Sequence, residues 1–151
     1  RGPGGPGGWI ILDEPELHLG DEILVPDLAG WRRERMPAVE AGPYLTLTPD
    51  WVCEVLSRST EKSDRSEKLP IYAAQGVEHV WLINPIQRTL EVLRRHEGLW
   101  LTLAVHRDDQ RVRAEPFDAI ELDLASLWAD IALPPFRASE TAAAYAIADE
   151  L

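Results

Sequence analysis

Apolar and polar residues alternate along this chain in blocks short enough to read as strands. GWIILDE at the start, ILVPDLAGW at 23–31, DWVCEVLS around 50–57 and HVWLINP at 79–85 are apolar runs bounded by Pro, Gly, Asp or Ser. Runs of this length predict strands, and those that stay apolar at successive positions predict strands covered on both faces. Pro26, inside the second run, predicts a bulge or a sheet edge. Between the third and fourth runs the pattern changes. Residues from about 61 to Gln75 predict a helix, because Ser59 or Thr60 can cap it, acidic residues fill its first turn and Gly76 can end it. Pro70 predicts a kink within it. Residues 89–106, TLEVLRRHEGLWLTLAVH, alternate around HEG and predict a hairpin. Short strands and a helical turn at 124–129 follow.

The order strand, strand, strand, helix, strand, hairpin predicts an α/β domain with a mixed sheet and a helical crossover. Its expected limits are 9–136. RGPGGPGG, 1–8, reads as a flexible linker, and the alanine-rich 137–151 as a helical tail. A chain of 151 residues, 45% hydrophobic, can bury one sizeable core. No apolar run is long enough to span a membrane, so no membrane partner is expected. No basic-then-apolar leader stands at the start. The lone Cys53 excludes an internal disulfide and suits a reducing cytoplasm. The net charge of −11 argues against a strong non-specific grip on a polyanion. It leaves room for an acidic site in which a cation bridges carboxylates and phosphate.

Glu54 resists the pattern. It interrupts WVCEVL, where an unpaired buried carboxylate is costly and a metal ion or a lysine would relieve it. Asp27 ends an apolar stretch in the preceding run. If the two strands pair, both carboxylates can share a face, and they repel unless a cation lies between them. Hard oxygen ligands of this kind suit Mg2+ or Mn2+. Asp64, Lys68 and Gln75, at spacings of four and seven, fall close to one helical face. Lys68 on that face could orient or deprotonate a water or stabilise charge on a phosphate. Each residue also has an ordinary reading. Pro-Asp is a common turn former, Asp64 and Lys68 form a standard surface pair, and Glu54 with Lys68 could be a buried ion pair in a non-catalytic protein.

VPDLAGW, DWVCEVLSRST and DRSEKLPIYAAQGVEHVWLINP, in that order over roughly residues 9–130, resemble the Uma-type family of restriction-endonuclease-like proteins. That family is similar to the PD-(D/E)xK nuclease superfamily. The resemblance implies a mixed central sheet flanked by helices and followed by a β-hairpin. It implies a Mg2+-dependent endonuclease acting on DNA, with Asp27 and Glu54 as metal ligands and the main-chain carbonyl of Val55 completing the coordination. The superfamily's usual lysine position holds Leu56, so Lys68 on the following helix would take its role. Tyr72 and Gln75 would line the same helix face. The superfamily core opens with a helix that can donate a glutamate. This chain opens directly at a strand, so that helix is expected to be missing, with Glu14 or Glu16 as a substitute carboxylate.

Trp51 and Trp81, in predicted core strands, read as core. Trp31 lies beside the dense basic cluster Arg32, Arg33 and Arg35 and is expected to be partly exposed, stacking on a base or packing a partner. The three arginines could touch phosphate, or pair with carboxylates of their own surface or of a second subunit. The four histidines show no metal-ligand spacing, although His18 could approach the site. The hairpin's second strand offers an edge and predicts a homodimer. The alternatives to a DNA endonuclease are a non-catalytic interaction protein that keeps the fold and a hydrolase of small phosphoesters.

Overall fold

The computed structural model describes residues 8–130, together with residues 147 and 151. Among residues 8–130 the elements in chain order are β1 (Trp9–Asp13), β2 (Leu17–Leu19), β3 (Glu22–Leu24), β4 (Leu28–Arg32), β5 (Trp51–Val55), α1 (Glu61–Ser63), a π turn (Asp64–Lys68), α2 (Leu69–Ala74), β6 (His79–Asn84), β7 (Thr89–His96), β8 (Leu99–Arg107), β9 (Arg111–Val112), β10 (Leu122–Asp123) and α3 (Leu124–Asp130). Six strands form the central sheet in the order β1-β4-β5-β6-β7-β8. Only the β5–β6 pair is parallel, as expected for strands joined by a helical crossover. The sheet is therefore mixed, and helices flank it.

The two faces are built differently. Trp9, Leu28, Trp51, Cys53, Val55, Trp81 and Ile83 point to one face, where α3 and the segment around Phe117 cover them. Trp51, Trp81 and Phe117 meet edge to face at centroid distances of 4.9 to 5.6 Å. Gly30 makes room for this cluster. A Cβ there would lie 3.1 Å from the Trp51 ring and 3.2 Å from the Trp9 ring. The other face carries Ile10, Ala29, Trp31, Val52, Val80, Leu82 and Leu93, covered by Leu69 and Tyr72 of α2 and by Leu17, Leu19 and Leu24 of the small β2–β3 hairpin. Strand alternation sends Glu54 to this helix-covered face, between Cys53 and Val55 of the aromatic face.

Several expectations are corrected. The run 23–31 is two elements, not one. It breaks at Pro26 and Asp27, because Pro26 has no N–H for a ladder, so β3 ends the small hairpin and β4 starts inside the main sheet. The kink assigned to Pro70 is a π turn just before it, closed by the Leu69 N–H on the Asp64 carbonyl. Pro70 then falls in the first turn of α2, where its missing donor costs little. Trp31 is fully buried and donates its ring N–H to the Leu47 carbonyl at 2.9 Å, so it offers no surface for stacking. Gly8, placed in the linker, turns into β1, and its carbonyl accepts the Arg33 N–H at 2.6 Å. Residues 1–7 lie outside the described residues, as does the tail 137–151 apart from Ile147 and Leu151. These two are buried and joined by a helical hydrogen bond.

Candidate functional site

β4 and β5 pair antiparallel with Leu28 opposite Cys53, so the next step along the register brings Asp27 level with Glu54. Asp27 lies just before β4, and its Oδ2 accepts the Val55 main-chain N–H at 2.7 Å. The structure thus brings Val55 to Asp27 through its N–H. Glu54 is 2% exposed. Its Oε2 accepts the Tyr72 hydroxyl at 2.7 Å and the Lys68 ammonium at 3.3 Å. Lys68 also reaches Asp64 Oδ1 at 3.3 Å, and Asp64 is itself only 3% exposed. The surface-pair reading of Asp64 and Lys68 is therefore replaced by a buried bridge. The π turn that contains both residues sets their positions.

Electrostatics make the cluster unusual. Burial pushes the Glu54 carboxyl up to about 8; Lys68 and the Tyr72 hydroxyl pull it down, while Asp27 and Asp64 push it further up. Burial also works against the Lys68 ammonium, but Glu54 and Asp64 outweigh that and hold its pKa above the ordinary lysine value. Tyr72 is driven well above the usual phenol range by burial and by the Glu54 charge, so it stays a hydrogen-bond donor. Fully ionised, the cluster would set three carboxylates against one ammonium. Glu54 instead holds its proton near neutral pH unless further positive charge arrives.

The other sequence-predicted residues separate from this cluster. Gln75 reaches the turn of the small hairpin, where its amide nitrogen would lie 2.9 Å from a Cβ on Gly20. Glu16 is exposed and pairs with His18 Nε2 at 2.6 Å, while the His18 ring stacks on Tyr44. The arginine cluster is largely consumed by the chain's own groups. The Arg35 guanidinium pairs with Asp50 at 2.8 Å, the Arg32 main-chain N–H donates to Asp50, and the Arg32 guanidinium lies over the Trp9 ring. Arg33 is exposed. Asp50 carried no clear signal in the sequence, since an aspartate after Pro49 reads as a turn. The α-helical spacing sets Asp64 on the face of Lys68, but an acid–base pair at i, i+4 ordinarily lies at the surface, which hid its burial.

Among the described residues, no three His, Cys, Asp or Glu side chains converge closely enough to hold a metal by themselves. None of the described helices is long and apolar enough to cross a membrane. A family model, Uma2, described as "Putative restriction endonuclease", matches residues 4–125. The chain belongs to the Uma2 family. A solved structure with similar architecture is a putative nuclease of DUF820 from Anabaena variabilis ATCC 29413. It aligns with a TM-score of 0.66 and 24% identity over 81% of this chain and 69% of that one. At that identity the likeness concerns the fold. A comparison with curated proteins gave no match. Family and fold together indicate a restriction-endonuclease-like protein, and this Uma2 chain carries its buried acidic cluster beside the parallel strand pair.

Proposed function

We propose that this Uma2 protein is a Mg2+- or Mn2+-dependent endonuclease that hydrolyses phosphodiester bonds in DNA. The observation that carries the reading is the buried Glu54, level with Asp27 and held by Tyr72 and Lys68. The residues fit a divalent cation. Their donors are hard oxygens, and the ionised cluster has two negative charges in excess, the charge of one such ion. Asp27 and Glu54 would hold it, with the Val55 main-chain carbonyl and water completing the shell. When bound, it supplies a Lewis acid for the phosphoryl oxygen and a lowered pKa for water. Lys68, kept as an ammonium, is not a base at neutral pH. It donates N–H groups that position a water or offset charge on the phosphate. Tyr72 fixes Oε2 of Glu54, which orients the carboxylate. Asp64 anchors Lys68 from the far side.

The test is a calorimetric titration of Mn2+ into the wild type, Asp27→Ala and Glu54→Ala, with circular dichroism as the fold control and DNA cleavage as the second readout. Binding and cleavage present in the wild type and absent from both variants are expected. No binding in the wild type would overturn the reading. A non-catalytic interaction protein would then stand ahead, favoured by the two 3.3 Å contacts of Lys68, which already balance part of the buried charge.

A further inference from the structure

The basic residues that the sequence brings together are not the ones the fold leaves available. Arg33, Arg58, Lys62, Arg88 and Arg107 are exposed and enter none of the ion pairs among the described residues. Arg33 follows the far end of β4, away from Asp27. The other four lie at the end of the sheet where β5 and β6 finish and β4 begins, the end that carries Asp27 and Glu54. In open α/β sheets, ligands gather outside the carboxyl ends of parallel strands.

That end is not uniformly basic. Asp13 and Glu14 stand on the β1 side, and Asp108 and Asp109 stand beside Arg88 and Arg107 on the β8 side. Between them, the connection from β5 to the helix exposes Arg58 and Lys62 without an adjacent free carboxylate of its own, since Glu61 is paired with Arg65. The connection also has a fixed shape. The Ser57 N–H bonds the Thr60 hydroxyl at 3.1 Å, the Thr60 N–H bonds the Ser57 hydroxyl at 3.2 Å, and the two hydroxyls lie 3.0 Å apart. Arg58 and Ser59 form the tip that this reciprocal pair holds up. The net charge of −11 sets this basic stretch against an acidic chain.

We infer that Arg58 and Lys62 receive the DNA phosphates flanking the scissile one, so that the strand crosses the β5–helix connection and not the Arg32–Arg35 loop. The inference rests on the nuclease reading and names its substrate path. Both side chains are exposed and unpaired, so replacing them leaves the fold alone, which a melting curve checks. The experiment is fluorescence anisotropy of a labelled DNA duplex, with Ca2+ supplied as an oxygen-seeking cation and DNA integrity checked on a gel, across a range of salt. Arg58→Gln with Lys62→Gln is expected to weaken binding on the order of tenfold at low salt and to make the salt slope shallower by about 2. Binding by the double variant equal to wild type would overturn the inference and leave the nuclease reading standing. A larger loss from Arg33→Gln would overturn it in favour of the arginine loop. No DNA binding by the wild type at any salt would overturn both.

Discussion

The two faces of the central sheet solve opposite problems with the same six strands. The aromatic face buries Trp9, Trp51, Trp81 and Phe117 in one cluster, and the Trp81 ring N–H donates to the Glu115 carbonyl at 2.8 Å. The helix face also buries a large apolar cluster but encloses Glu54 and Asp64, two acidic side chains bridged by one ammonium. The first arrangement gains stability from area and ring geometry. The second gives up some of that gain, because each buried charge loses its hydration and recovers only part of it from its partners. Strand β5 belongs to both, with Trp51, Cys53 and Val55 serving one face and Glu54 the other. An apolar and a charged environment are thus separated by a single step along the backbone.

The contrast can be broken most strongly from the aromatic side. Trp81→Ala should cost about 3–5 kcal/mol, read as a lower urea midpoint, because it removes a buried indole that packs edge to face with Trp51 and Phe117. Addition of Mn2+ should recover little of that loss. From the helix side, Lys68→Met should cost about 1–3 kcal/mol, since it leaves the buried Asp64 without its cation and Glu54 without one of its donors. Here Mn2+ should recover much of the loss, because a ligand bound only by the folded state stabilises it. A Lys68→Met protein whose stability ignores Mn2+ would show that the cluster is an ion-pair scaffold.

Tyr72→Phe sharpens the contrast with a smaller change. Removing the hydroxyl should lower stability by about 1 kcal/mol and weaken Mn2+ binding about tenfold. Lower stability with unchanged affinity would make Tyr72 a packing residue.

The pH response follows from Glu54. Its folded pKa of about 8 lies above the ordinary carboxyl value of 4.5, so the folded state binds the extra proton. Its contribution is present in full below the unfolded value and is lost as pH rises through about 8. In metal-free buffer, the stability of Glu54→Gln relative to wild type should therefore rise between pH 5 and 8. A flat difference would mean that Glu54 is already ionised by its neighbours. The smallest effect belongs to the surface. Arg35→Gln should cost about 0.5 kcal/mol, because the Asp50 pair is partly solvated.

Much of this was legible from patterning. Strands β1, β5 and β6, the hairpin of β7 and β8, and the helical crossover follow from apolar runs and their punctuation. Glu54 announces itself by sitting where nothing charged belongs. What stayed hidden depends on partners far apart in sequence. Nothing local shows that Asp50 pairs with the Arg35 guanidinium and accepts the Arg32 main-chain N–H, or that the Leu47 carbonyl accepts the Trp31 ring N–H. The run 23–31 read as one strand because its hydrophobicity is continuous, while the break at Pro26 is a matter of backbone donors. Asp64 read as exposed because an i, i+4 acid–base pair is ordinarily a surface pair, and the depth of a helix face depends on what packs against it.

That π turn has a genetic consequence. Its closing ring, Leu69 N–H to Asp64 carbonyl, holds one residue more than an α-helical ring. Deleting a single residue between Arg65 and Glu67 would let the segment run as an ordinary helix. Four steps of an α-helix turn the chain through nearly the same angle as the five steps of this ring, so the residues upstream would keep their face. Asp64 and Lys68 would become an i, i+3 pair, still neighbours on that face. One codon can thus be lost here without rotating the cluster, which makes this turn a place where the length of the chain and the geometry of the cluster are uncoupled.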